Sequence, residues 1–291
     1  MTESTSGLGT GSNGSPATTS EGEARQRAEE LDINTSTSSV ARLYDYLLNG
    51  KDNYEVDRVA THQLLDAVPE IQLLAQANRA FIRQAVRYLV GTAGIRQIID
   101  IGSGLPTAGN VHEIAQEVDP EVRVVYADND PIVLAHGRAL LATNANTVVM
   151  QADLRRPREI FDAAQTHQLI DETKPFAVLL GGILMHLYDE EDPDGVAAGI
   201  RDRLPSGGYL MVSNTCDTGE QRAHELSRIF AENDMGDRCF RPWDEQIRYF
   251  DGLELVEPGL VPNNRWRPGA DMPDPDNSAH GMHIGGIGRK P

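Results

Sequence analysis

Gly102 and Gly104 stand two apart directly after Ile98-Ile99-Asp100-Ile101, so an apolar run ends in a turn of G-x-G spacing. Glycines at that spacing let backbone approach a nucleotide-type ligand, although ordinary tight turns use them too. The residues around them discriminate between ligands. Asp100 precedes Gly102 by two positions; its carboxylate repels a pyrophosphate and suits a ligand carrying an ammonium and a sulfonium. A dinucleotide fingerprint, G-x-G-x-x-G, needs its last glycine where this chain has Thr107. Pro106 has no N–H and removes a donor that a phosphate would use at a helix start. With Ser103 between the glycines, this turn disfavours NAD and favours S-adenosylmethionine.

Further acids follow at strand-end positions. Asp128 comes 24 residues after Gly104, where a carboxylate can accept from both hydroxyls of a ribose. Asp153, in Gln151-Ala152-Asp153-Leu154, can accept from an adenine amino group while Leu154 packs on the ring. A lone strand-end Asp is commonly a helix cap or turn residue. Three at successive strand ends on one edge point to a ligand. Asn129 and Gly181 belong to the same expected cofactor site.

Other residues are candidates for the acceptor side. The loop Asn49–Tyr54 is unusually polar for a connection between helices, and Lys51, Asn53 and Tyr54 are expected to line a substrate pocket, unless the loop is simply solvated. Asn78 and Arg79 interrupt an otherwise amphipathic helix and are candidates for the cofactor site, where they can bind the methionine carboxylate of S-adenosylmethionine, or else bond within the helical bundle. His186 follows an apolar run and can serve as a general base if the acceptor is an alcohol or phenol; its plainer role is packing. No metal is expected. His112-Glu113 lacks the second histidine of H-E-x-x-H, since Gln116 stands there, and His280 and His283 have no acidic or cysteine partner close by in sequence. The acidic run 189–194 reads as a solvated helix start.

The elements that must position these residues follow from periodicity. Residues 1–30 are rich in Ser, Thr, Gly and Glu and are expected to be a disordered tail. Val40, Leu43, Tyr44, Leu47 and Leu48 have helical spacing, ended by Asn49-Gly50. Two or three more helices reach about residue 94, broken near Pro69, and make 31–94 an N-terminal helical cap. From 95 to 291 short β-rich runs alternate with helices: strands over 96–102, 122–128, 147–153, within 176–187 and over 207–214. Helices are expected over 108–118, 131–142, 158–170 and 193–204. That alternation predicts an α/β, doubly wound parallel sheet. Two last strands, 253–261 and 283–290, have no helix between them and are expected to pair antiparallel at the sheet edge.

Bulk properties narrow the class. The 291 residues carry a formal charge of −18 and no basic block, which argues against nucleic acid or an anionic membrane as partner. Two cysteines far apart in sequence fit a reducing cytoplasm, and no apolar run reaches the roughly 18 residues of a membrane span.

The order of 100–104, 126–131, 151–154, 179–187 and 204–214 resembles the class I S-adenosylmethionine-dependent methyltransferases. More narrowly, the segments 41–58, 77–89, 100–113, 124–136 and 285–291 are similar to an actinobacterial S-adenosyl methyltransferase family first described as a domain of unknown function. The similarity runs from about residue 33 to the end. It implies a Rossmann-like seven-stranded sheet with its last strand antiparallel, an N-terminal helical cap, and methyl transfer to a small molecule, by O- or N-methylation of a secondary metabolite. Two alternatives stay open at this stage: a non-catalytic protein that binds or senses S-adenosylmethionine, and, less well supported by Asp100, Pro106 and Thr107, an NAD(P)-dependent enzyme.

Overall fold

The computed structural model describes residues 34–106, 109–141, 144–233, 235 and 240–291. The expected tail, 1–30, lies outside them, as do Thr107 and Cys239. Three helices come first: α1 (Val40–Leu47), α2 (Glu55–Ala67) and α3 (Ile71–Gly91). Next come β1 (Gln97–Ile101), α4 (Val111–Val118), β2 (Arg123–Asp128), α5 (Pro131–Leu141) and β3 (Thr147–Gln151). They are followed by α6 (Pro157–Asp162), α7 (Ala164–Leu169), β4 (Ala177–Gly181), α8 (Pro193–Arg203), β5 (Tyr209–Thr215), α9 (Gln221–Glu232) and α10 (Trp243–Gln246). The chain closes with β6 (Glu254–Leu255), β7 (Val261–Pro262) and β8 (His283–Arg289).

The strands form one sheet in the order β3-β2-β1-β4-β5-β8-β6, with β7 also paired to β8. Strands β1 to β5 are all parallel, and β8 runs antiparallel to β5 with Thr215 opposite His283. Strand order reverses on either side of β1, so a crevice opens beyond the carboxyl ends of β1, β2 and β4. Asp100, Gly102, Asp128 and Gly181 all stand at that edge.

Two expected elements differ in detail. The strand expected over 253–261 is divided into β6 and β7, because Pro258 has no N–H to give a ladder and Gly259 turns the chain at φ 92°. The helix expected over 158–170 is two short helices with Ala163 extended between them, at φ −69° and ψ 144°.

Apolar side chains fill both faces of the sheet. On one face Phe81, Val86 and Leu89 of α3 pack with Ile98, Val124, Leu179 and Met211. On the other, Ile99, Val125, Val178 and Leu210 meet Phe161 and Ile200. The first half of α3 instead joins a third core, in which Leu43, Leu47, Leu64 and Leu74 pack with Met185, Leu226, Phe230 and Phe240. Helix α3 therefore packs with the other N-terminal helices at its start and with the sheet at its end. Helix α9, which follows β5, joins this third core through Leu226 and Phe230.

Candidate functional site

Gly102 takes φ 69° and donates its N–H to the Ala127 carbonyl at 2.8 Å. A Cβ there would sit 2.4 Å from Cγ1 of Ile183, so both backbone conformation and space demand glycine. Gly104, at φ 68°, donates to Oδ2 of Asp128 at 2.9 Å, and Oδ1 of Asp128 accepts from the Asp130 N–H at 2.9 Å. The acid that ends β2 therefore shapes the turn after β1. Burial raises the Asp128 pKa, opposed by these backbone donors.

Asp100 is buried, and among the described residues no group donates a hydrogen bond to its carboxyl. Burial pushes it up to about 7, with Arg79 opposing the rise and Asp128 adding to it. Arg79 lines the same cavity, and its hydrogen-bond partner among the described residues is the Gly109 carbonyl, at 3.0 Å. A buried acid lacking a donor and a guanidinium with spare N–H groups thus face one space. An amino-acid end, with its ammonium and carboxylate, fits that pair.

The cavity holds about 460 Å³, within the range of small-molecule sites, and runs from Asp100, Ser103, Gly104, Asp128 and Asn129 past Gly181 to an apolar chamber. Leu43, Leu74, Met185, Leu226, Phe230 and Phe240 wall that chamber. A neighbouring cavity of about 240 Å³ is lined by Asp128, Asn129, Asp153, Leu154 and Ile183. There Asp153 is held by Arg155, whose side chain also pairs with Glu191 at 2.7 Å, and Arg155 keeps the Asp153 pKa below the usual carboxylate range. Glu191, from the acidic run expected to be solvated, is thus engaged in the wall.

His186 lines both cavities. Its Nδ1 lies 2.7 Å from the Met235 carbonyl, and its ring stacks on Phe230 at 5.8 Å. A carbonyl only accepts, so Nδ1 carries the proton and Nε2 keeps a lone pair. Burial lowers the pKa of His186.

Asn78 also lines the large cavity, and its amide is engaged within the protein, donating to the Tyr44 hydroxyl at 3.2 Å and accepting from Ser213 at 2.7 Å. Lys51, Asn53 and Tyr54 line neither cavity. Lys51 is exposed; Asn53 donates to Asp45 Oδ2 at 2.9 Å and to the Gly50 carbonyl; Tyr54 caps α2 and packs with Leu105, Ile132 and Val133. The polar groups of their loop are engaged with neighbouring helices instead, Asn53 with Asp45 of α1 and Asp52 with His136 of α5. Sequence reasoning missed Tyr44, Ile183 and His283 as cavity residues. In the sequence Tyr44 reads only as part of an apolar stripe, and His283 only as a poor metal ligand.

A family profile described as S-adenosyl methyltransferase matches residues 26–291. The fold is similar to a crystal structure of a proposed methyltransferase from Thermobifida fusca YX, at 44% identity and TM-score 0.84, covering 90% of this chain and 97% of that one. It is likewise similar to a DUF574 family protein from Streptomyces avermitilis MA-4680, at 39% identity and TM-score 0.85, covering 90% of this chain and all of that one (100%). An O-methyltransferase family protein from Burkholderia thailandensis, 13% identical with a TM-score of 0.50 over 93% of this chain and 69% of its own, shares the fold. Among curated proteins none matches. The buried acid at the glycine turn and the match over nearly the whole chain agree: this protein belongs to the S-adenosyl methyltransferase family and is an S-adenosylmethionine-dependent methyltransferase.

Proposed function

We propose that the acceptor is a small molecule with an apolar body and a hydroxyl group, methylated on oxygen. The observation that carries this is His186, a neutral imidazole whose free Nε2 belongs to the wall shared by the cofactor cavity and the apolar chamber. Arg79 and Asp100 hold the amino-acid end of the donor, Asp128 the ribose, and Asp153 with Leu154 the adenine; Gly102, Ser103, Gly104, Asn129 and Gly181 form the walls against it. When bound, S-adenosylmethionine supplies a methyl group activated by its sulfonium. The chain's own part is to exclude water with Met185, Phe230 and Phe240, to hold the acceptor in one orientation, and to take its hydroxyl proton on His186 Nε2. N-methylation is the second outcome, for which no base is needed.

Residues 31–94 act as the cap of this site, and the net charge of −18 supports a small acceptor over a nucleic acid. Among the described residues no helix is long and apolar enough to cross a membrane. A cytoplasmic location is part of this reading, supported by Cys216, whose buried thiol is free.

Calorimetry with S-adenosylhomocysteine tests the donor site. Asp128→Ala is expected to weaken binding by about tenfold or more, the loss of a charged acceptor. Label transferred from methyl-labelled S-adenosylmethionine should enter the low-molecular-mass fraction of a cell extract, and His186→Ala should abolish that transfer while keeping S-adenosylhomocysteine binding. Label entering protein or nucleic acid instead would reject the acceptor class.

A further inference from the structure

His283 opens β8 at the carboxyl edge of the sheet, opposite Thr215, and lines the same large cavity as His186. Its Nδ1 faces Nδ2 of Asn263 at 2.9 Å. Which of the two donates is settled by a chain of hydrogen bonds that ends on a backbone carbonyl. The Ala75 carbonyl can only accept, so the Tyr44 hydroxyl, 3.0 Å away, gives its proton there. The Tyr44 oxygen then accepts from Asn78 Nδ2 at 3.2 Å, which turns Asn78 Oδ1 toward Ser213, a donor at 2.7 Å, and toward Asn263 at 3.4 Å. Facing that oxygen, Asn263 presents its NH2 group, whose second N–H points at His283 Nδ1, while Asn263 Oδ1 is left buried without a partner among the described residues. Flipping Asn263 would set its oxygen against the oxygen of Asn78. His283 Nδ1 is therefore the acceptor, and the ring proton sits on Nε2.

Among the described residues Nε2 has no hydrogen-bond partner, and His283 lines the cavity, so this nitrogen opens to it. Burial, with His280 nearby, pushes the His283 pKa down to about 3, so the ring stays neutral at physiological pH. His186 has the opposite tautomer, with its lone pair free.

Resting on the methyltransferase reading above, we infer that His283 Nε2–H is a fixed hydrogen-bond donor of the acceptor chamber, recognising an oxygen of the acceptor other than the one that is methylated. The chamber then selects a ring-sized apolar molecule bearing both a hydroxyl, met by His186, and a separate accepting oxygen such as a carbonyl, met by His283. An acceptor without that second oxygen leaves a buried N–H unpaired, and that penalty produces the selectivity.

The full-length chain, 15N-labelled and saturated with S-adenosylhomocysteine, provides the first test. Long-range proton–nitrogen correlations should show His283 protonated on Nε2 and His186 on Nδ1; a His283 ring protonated on Nδ1 overturns the inference. The second test titrates the three hydroxyacetophenones against the matching ethylphenols, which lack the carbonyl. At least one isomer should bind the wild type about tenfold more tightly than its ethyl counterpart. That preference should vanish in His283→Phe and return in His283→Gln, whose side-chain N–H replaces Nε2–H. No preference in the wild type, including no binding of any probe, overturns the inference, as does a preference that survives in His283→Phe. S-adenosylhomocysteine affinity should be the same in all three proteins. Its loss from the wild type would instead count against the donor site and leave the tautomer result standing on its own.

Discussion

At the scale of single residues, Asp100 holds the most chemistry. Its carboxyl has no donor among the described residues and is pushed up to about 7 by burial, so in the ligand-free protein it is half protonated near neutral pH. A cationic ligand favours the charged form. Below about pH 7 binding must therefore expel a proton, and above it the site is ready. Affinity for S-adenosylmethionine is expected to fall by up to about tenfold per pH unit on acidification below 7, and Asp100→Asn should remove the slope. Calorimetry across that range, repeated in buffers of different ionisation enthalpy, would show the released proton; a wild-type profile without slope would contradict the role. The presence of an acid beside the glycine turn is legible in sequence. Its lack of a donor is not, because that depends on which groups the fold leaves out of reach.

At the scale of elements, α1 shows what periodicity reveals and hides. The stripe Val40, Leu43, Tyr44, Leu47 predicts a helix with one apolar face, and the helix closes where Asn49 turns at φ 61°. Nothing in that pattern tells that Arg42 is buried, bonded through Nε to Asp57 at 2.8 Å, and also donating to the carbonyls of Asn34 and Thr37. Asp57 in turn accepts from the backbone N–H of Ser39 at 3.0 Å and of Tyr54 at 2.9 Å, so one carboxylate joins the starts of α1 and α2. Arg42→Met is expected to destabilise the protein by about 3–5 kcal/mol, the cost of leaving a buried charge unpaired. Replacing both partners with apolar residues should recover only part of that loss, since the two backbone N–H groups would then lack their acceptor. Urea denaturation of the single and double variants measures both; full recovery in the double variant would refute the capping role.

At the scale of the whole molecule, the N-terminal helices and the carboxyl edge of the sheet meet over the large cavity. Ser39 lines the large cavity and donates through Oγ to Oδ2 of Asp130 at 2.7 Å, tying the start of α1 to the loop after β2, next to Asp128. Opening the cap to release ligand must break that bond. Ser39→Ala is expected to speed dissociation of S-adenosylhomocysteine about fivefold, matching a net loss of roughly 1 kcal/mol for one hydrogen bond. Stopped-flow release would show it, and an unchanged rate would mean that ligand escapes by another route.

The alternation of strands and helices, the turn at Gly102 and Gly104 and the acids Asp100, Asp128 and Asp153 were determined by the sequence alone. Each is a local signal: apolar period, glycine spacing, or an acid at the end of a β-rich run. The division of the 253–261 strand was legible too, in Pro258 and Gly259, once the demand of the ladder for an N–H is weighed. Only the tertiary structure decided the apolar chamber. Its walls come from α1, α3, the segment after β4, α9 and the start of β8, which are far apart along the chain and individually ordinary. The same holds for the proton positions on His186 and His283. A tautomer is set by whichever group lies across from the ring, and here those groups are a carbonyl 49 residues away for His186 and an amide 20 residues away for His283.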